Sequence, residues 1–261
     1  MKRIMSIVVC VLVFGLALGQ AQSTSGDQKS VKRYGGTACG GDPILPTDGS
    51  VLQADYVPTG AANWYYINVK AGHSYAVEIY DSYDSQIGGS ATLTIVASNC
   101  TTPVQTTDVT SMDPDLSQNF GARMSWIQAT DSAAYIEVQS SDPNGSLYNV
   151  RIVDTTLVNP RWSTYAPFST QYSFTNNTSA ADITGTLSIY DSSGSLLSTK
   201  SITIPKASQQ FYIFNTPASH VGFATFAYTG ASGAITADAF FLNSSLTVVV
   251  PSSFAPRNFQ H

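Results

Sequence analysis

The chain has 261 residues, of which 43% are apolar and 11% charged, with 17 acidic against 12 basic side chains and a formal charge of −5. Acidity of this kind argues against a binder of phosphate backbones, so nucleic acid is not an expected partner. The length suits one large or two ordinary domains, and either would bury a core.

Lys2 and Arg3 precede a largely apolar run from Ile4 to Leu18, followed by small residues at Gly19 and Ala21. That is the layout of a secretory signal peptide, residues 1–21, removed on export. The run is shorter than the ~20 apolar residues of a membrane-crossing helix, so no transmembrane span is expected after cleavage. Cys10 lies inside the run instead of at its end, which argues against a lipoprotein signal. Cleavage would leave ten basic against 17 acidic residues, a formal charge of −7. The expected location is secreted, extracellular or periplasmic. Two cysteines then remain, Cys39 and Cys100, and in an oxidising compartment they are expected to form one disulfide. It would close a loop of about 60 residues, worth roughly 4 kcal/mol on the loop-entropy account.

Residues 22–36 are rich in Ser, Gly, Gln and Lys without periodicity and are expected to form a flexible leader, which holds the only basic grouping, Lys29, Lys32 and Arg33. Strand signals then repeat. Asn63–Lys70 and Ser74–Asp81 flank the turn Ala71-Gly72-His73. In the second, Tyr75, Val77 and Ile79 share one face and Ala76, Glu78 and Tyr80 the other, the period of two of a strand. Ala91–Ala97 alternates likewise, and Arg123–Thr130, Ala133–Ser140 and Ser146–Val153 follow between turn signals. A second set comprises Gln171–Thr175, Ile183–Tyr190, Leu196–Pro205, Gln210–Asn215, Val221–Thr229, Ala234–Asn243 and Leu246–Pro251. Asp191-Ser192-Ser193-Gly194 marks the clearest hairpin turn, and the strand before it places Ile183, Gly185, Leu187 and Ile189 on one face. No segment beyond the signal peptide has helical periodicity. The expectation is an all-β chain of two tandem β-sandwich domains, residues 37–154 and 155–256, with a tail at 257–261. A single larger sandwich is the alternative.

The run from Trp64 to Ile79, an aromatic strand, an Ala-Gly turn and a second alternating strand, resembles bacterial pre-peptidase C-terminal domains. The resemblance covers about residues 40–154 and implies a jelly-roll-like sandwich of the kind that accompanies secreted hydrolases as an accessory or binding module. The second half resembles the immunoglobulin- or fibronectin-type modules of bacterial surface proteins. Neither resemblance carries a functional residue across.

Candidate chemistry is sparse. His73 and His220 are expected in exposed loops, His261 is the terminal residue, and no G-x-S-x-G elbow surrounds a serine, so catalysis is not expected. Glu78 and Glu137, the only glutamates, sit at outward positions and are expected to be solvated. Asp81 with Asp84, and Asp113 with Asp115, are the candidates for a calcium site; no other cofactor is suggested, and the same residues also suit ordinary turns. Aromatics are more informative: 14 Tyr, 12 Phe and 3 Trp, several out of phase with buried positions. Trp64, Tyr66, Tyr80, Trp162 and Tyr165, with Tyr83, are candidate ligand-binding residues, because exposed rings stack on sugars and anchor interfaces. The alternative for Trp64 and Trp162 is a plug in the core or at the domain junction, where Pro160–Tyr165 would line a groove. The expected function is a non-enzymatic binding or adhesion protein whose partner is a glycan or a cell-surface protein. A structural envelope component pairing through Leu246–Pro251, or a small secreted hydrolase, are the alternatives. Asn99, Asn144, Asn176, Asn177 and Asn243 begin glycosylation sequons.

Overall fold

The structure is a computed structural model, and it describes residues 33–40, 43–80, 91–109, 121–215, 219–243, 245 and 248–256. The proposed signal peptide, most of the leader and the tail at 257–261 lie outside the described residues, as do Tyr83 and the calcium candidates Asp81, Asp84, Asp113 and Asp115.

The described chain is all-β and carries no helix. Eight strands build the first sandwich: β1 (Asp48–Val57), β2 (Ala62–Val69), β3 (Ser74–Tyr80), β4 (Ala91–Ala97), β5 (Pro103–Val109), β6 (Gly121–Ile127), β7 (Ser132–Ser140) and β8 (Ser146–Asp154). They form two antiparallel sheets ordered β1-β8-β3-β6 and β2-β7-β4-β5. Alternation decides what each sheet buries. Tyr75, Val77 and Ile79 of β3 meet Tyr65 and Ile67 of β2, Leu93 and Ile95 of β4 and Ile136 and Val138 of β7 in one core. Thr92 and Thr94, one residue out of phase, face away.

The second sandwich contains β9 (Leu157–Ser163), β10 (Phe168–Asn176), β11 (Ile183–Asp191), β12 (Leu196–Ile204), β13 (Gln209–Phe214), β14 (Val221–Tyr228), β15 (Ile235–Asn243), β16 (Val248–Ser253) and β17 (Ala255–Pro256). Its sheets run β13-β10-β15-β16 and β12-β11-β14-β9-β17. Trp162, Tyr172, Phe174, Leu187, Ile189, Phe226 and Phe241 fill a core separate from the first. The Ile183-Gly185-Leu187-Ile189 face is inward, and Gly185 is required there: a Cβ would come within 2.3 Å of the Phe226 ring. Of the expected strand Leu246–Pro251, residues 248–251 lie in β16, which pairs along β15 through Val248 to Ser253; Leu246 and Thr247 lie outside the described residues.

Asp154 to Thr156 join β8 to β9 without a linker. Thr155 N donates to Ser74 O at 2.9 Å, and Ser74 N donates to Thr156 Oγ1 at 2.9 Å. His73, expected in an exposed loop, is 8% exposed, and its Nδ1 lies 2.7 Å from Asp154 Oδ2. The partner lies 81 residues away, beyond the reach of any local pattern. At the other end of the first sandwich, the fold takes up the chain from Arg33, within the expected leader. Gly36 and Leu45 hydrogen-bond along the edge of β2, to Trp64 and Tyr66.

Candidate functional site

The first sandwich presents an aromatic and amide surface on the outer face of β2, β7 and β4. In β2 the pattern is inward at Asn63, Tyr65, Ile67 and Val69, which leaves Trp64 and Tyr66 half-buried on the other face and Asn68 exposed there. Register sets their neighbours. Trp64 stands opposite Glu137, which stands opposite Thr94; Tyr66 stands opposite Tyr135, next to Val96; Ala62 stands opposite Gln139, next to Thr92. Three rows on three adjacent strands span about 10 Å across and about 14 Å along the strands.

The groups on this grid hold one another. Tyr66 and Tyr135 meet edge to face at 5.5 Å, a favoured aromatic geometry. Gln139 Nε2 donates to Glu137 Oε1 at 2.7 Å, and Tyr66 OH donates to Asn68 Oδ1 at 2.6 Å. Glu137 is thus half-buried and oriented, where full solvation was expected. At the Gln139 end the surface drops into a cleft of about 330 Å³ lined by Gly60, Ala61, Ala62, Thr92, Gln139 and Ser140. The cleft exists because the turn residues are small, and Gly60 takes φ +69°, a conformation that favours glycine.

The Cys39–Cys100 disulfide forms as expected, across a separation of 61 residues. Cys39 lies between the two bridges on the edge of β2, and Cys100 lies in the turn after β4. The bond therefore ties the segment on the edge of β2 to the turn between β4 and β5.

The five aromatic candidates are not brought together. Trp64 and Tyr66 belong to this grid; Tyr80 and Tyr165 do not, and Trp162 is buried. Tyr80 sits on the other sheet with the Arg151 guanidinium 5.8 Å from its ring centre, so one of its faces is already occupied. Trp162 is 0% exposed, meets Phe214 edge to face at 5.0 Å, and donates through Nε1 to Tyr190 O at 2.8 Å. It is a core residue, and the alternative reading for it is the correct one. The groove expected around Pro160–Tyr165 is misplaced too. β9 leaves the junction at Leu157 and carries Trp162 about 16 Å away along the strand. Tyr165 is 53% exposed at that far end.

Glu78 is likewise corrected: it is 1% exposed and forms an ion pair with Arg151, its register neighbour on β8. Tyr135 and Gln139 were missed by sequence reasoning because only the β2–β7 register reveals that they neighbour Tyr66 and Ala62. Asn176, a sequon asparagine, is 1% exposed, with Nδ2 donating to Ala181 O and Ile204 O, so it is no acceptor for a sugar chain in the folded state.

A second hollow of about 400 Å³ lies where the second sandwich begins, lined by Leu157, Tyr228, Ile235, Phe254 and Pro256 with Asp238 as its one carboxylate. The Tyr228 hydroxyl is engaged with Ala231 O at 3.1 Å. No group of three or more His, Cys, Asp or Glu among the described residues is arranged to hold a metal ion. Among those residues no helix is long and apolar enough to cross a membrane.

No protein-family model and no curated protein matches the chain. Among solved structures it is similar to the pre-peptidase C-terminal domain of collagenase from Bacillus anthracis, at 13% identity and a TM-score of 0.29, over 42% of this chain and 90% of that domain. It is also similar to β-glucuronidase 2 of Bacteroides uniformis (12% identity, TM-score 0.20, 78% of this chain and 27% of that one). A third is the CBM22 tandem domain of Xyn10C from Paenibacillus barcinonensis (12% identity, TM-score 0.21, 79% of this chain and 89% of that one). The chain spans about a quarter of the glucuronidase. These likenesses concern the β-sandwich fold.

Proposed function

We propose that this chain is a non-catalytic recognition protein of the cell exterior that binds glycan on the outer face of β2, β7 and β4. The observation that carries the reading is the same-face set Trp64, Tyr66 and Tyr135 beside the hydrogen-bonded Glu137–Gln139 pair. Sugars have an apolar face that stacks on aromatic rings and an equator of hydroxyls that need donors and acceptors. This grid supplies both on a surface that is already organised, and preorganisation limits the entropy lost on binding. The adjoining cleft offers a pocket for one ring or substituent at the Gln139 end. Export is part of the proposal, supported by the N-terminal sequence and by the disulfide.

Trp64 provides its own reporter. Of the three tryptophans, Trp126 and Trp162 are buried at 8% and 0% exposure, so an external quencher reaches Trp64 first. Retention on insoluble polysaccharides and on cell envelopes, with ligand protection of Trp64 fluorescence, is the measurement. Trp64→Ala and Tyr66→Ala should each weaken retention about tenfold or more, equivalent to about 1.4 kcal/mol per ring. Retention unchanged in both variants would place the site elsewhere. Failure to bind any polysaccharide would sink the proposal.

A further inference from the structure

The described residues form four sheets with eight edges, and an open edge is a template on which another chain can pair. Seven are guarded. The edge of β2 is covered by the backbone of Gly36 and Leu45. β1 is bulged twice against β8. β5 begins at Pro103, while β6 carries Arg123 and lies against β14. β12 has a bulge and places Lys200 opposite the buried Leu187, a charge on the core side of an edge strand. β16 contains Pro251, and β17 is two residues long and ends in Pro256.

β13 has no such protection. Its sequence, Gln-Gln-Phe-Tyr-Ile-Phe, holds no charge, proline or glycine, and it pairs with β10 over all six residues without a register shift. Among the described residues no strand pairs with its other edge. Phe211 and Ile213 stand 57% and 52% exposed on the outer face, and the row from Ile213 continues through Gln171 and Phe240 to Pro251.

We propose that β13 is the contact strand of a symmetric homodimer, pairing antiparallel with β13 of a second copy to join two four-stranded sheets into one of eight. The occupant is a second copy because the strand suits itself. It is neutral within an acidic chain, so self-pairing brings no like charges opposite one another. A two-fold axis normal to the sheet keeps both outer faces on one side, which merges Phe211 and Ile213 of both copies into one apolar strip. Such an isologous contact is closed at two and does not propagate into a fibre. Six residues a side is a small interface, so association is reversible, with Kd in the micromolar range. β13 lies on the second sandwich, so the dimer does not depend on the glycan reading.

The test is sedimentation velocity over a concentration series of the protein recovered from an exporting host, beside Ile213→Lys and Val104→Lys. Val104 is 55% exposed on the edge strand β5, so its lysine is a charge-matched control. The wild type and Val104→Lys should shift from monomer to dimer together. Ile213→Lys should raise Kd at least tenfold with an unchanged melting temperature, because the replaced side chain is already largely in water. A wild-type protein that stays monomeric up to about 0.5 mM, well above a micromolar Kd, would overturn the proposal. So would growth beyond a dimer, or equal dimerisation by Ile213→Lys.

Discussion

Tyr65 and Tyr148 meet hydroxyl to hydroxyl at 2.5 Å in the core of the first sandwich, both at 0% exposure. Donors run in one direction through them. Asn63 Nδ2 donates to Tyr148 at 2.9 Å, Tyr148 to Tyr65, and Tyr65 to the buried carboxylate of Asp55. Asp55 also accepts from Tyr34 N at 2.7 Å, Gly35 N at 2.9 Å and Tyr56 N at 2.8 Å. Arg33 Nε closes the arrangement on Asn63 Oδ1 at 2.6 Å. One carboxylate thus pins Tyr34 and Gly35 to the sandwich, and bonds aligned head to tail polarise one another.

Asp55→Asn keeps the volume but replaces an acceptor by a donor, so backbone N–H groups lose their partner. The expected cost is roughly 2–4 kcal/mol, and Tyr148→Phe should cost roughly 1–3 kcal/mol by stranding its neighbours. Urea denaturation at neutral pH measures both. A change below about 0.5 kcal/mol for Asp55→Asn, the range of ordinary surface substitutions, would mean that the carboxylate does not hold this region.

Alkali should unfold the protein through its buried phenols. Burial is the first cause that raises Tyr65 and Tyr148, and the Asp55 charge adds to it in both. Burial also raises Tyr172, and pushes Tyr228 up to about 12. A phenol whose folded pKa exceeds its ordinary value near 10 contributes stability that is present in full below pH ~10 and is lost as pH rises through the folded value. Unfolding free energy should therefore not fall on this account up to pH ~9 and should drop between pH ~10 and ~12, by on the order of 2–3 kcal/mol from Tyr228 alone. Phenolate absorbance should rise with loss of sheet signal. Independent titration of these phenols near pH 10, with the fold intact, would contradict the burial assigned to them.

Trp64 and Trp162 should separate binding from stability. Trp162→Ala removes a fully buried ring and both its carbonyl partners lose a donor, at about 3–5 kcal/mol. Trp64→Ala removes a half-buried ring from an outer face and should cost less than about 2 kcal/mol while reducing glycan retention. Thermal melts of the two variants, read beside retention, decide it. A Trp64→Ala protein as unstable as Trp162→Ala would make Trp64 a structural residue.

Period-two alternation and turn residues made most strands legible, and they failed where long-range pairing overrides local pattern. β1 reads as irregular because two bulges interrupt its alternation. β9 contains Pro160, which argues against a strand, yet the ladder with β14 skips from Asn159 to Trp162 and so asks no bond of that residue. Glu78 and His73 looked solvated because their partners, Arg151 and Asp154, come from β8. The same limit applies to the site. Trp64 and Tyr66 are visible as aromatics out of phase with their strand, but Tyr135 and Gln139 become part of the surface only through β2–β7 register.

Replacing Cys39 and Cys100 by serine tests whether the disulfide serves the surface as well as the fold. The bridge spans 61 residues, and its loss should cost about 2–4 kcal/mol, mostly by freeing the unfolded chain. It also holds the segment whose Gly36 and Leu45 bond the edge of β2 directly beside Trp64 and Tyr66. Releasing that segment frees one side of the strand that carries both rings. Under conditions where the variant remains folded, Trp64 should become more accessible to an external quencher and glycan retention should fall. Lower stability with unchanged Trp64 quenching would confine the disulfide to the fold and leave the arrangement of the surface to β7 alone.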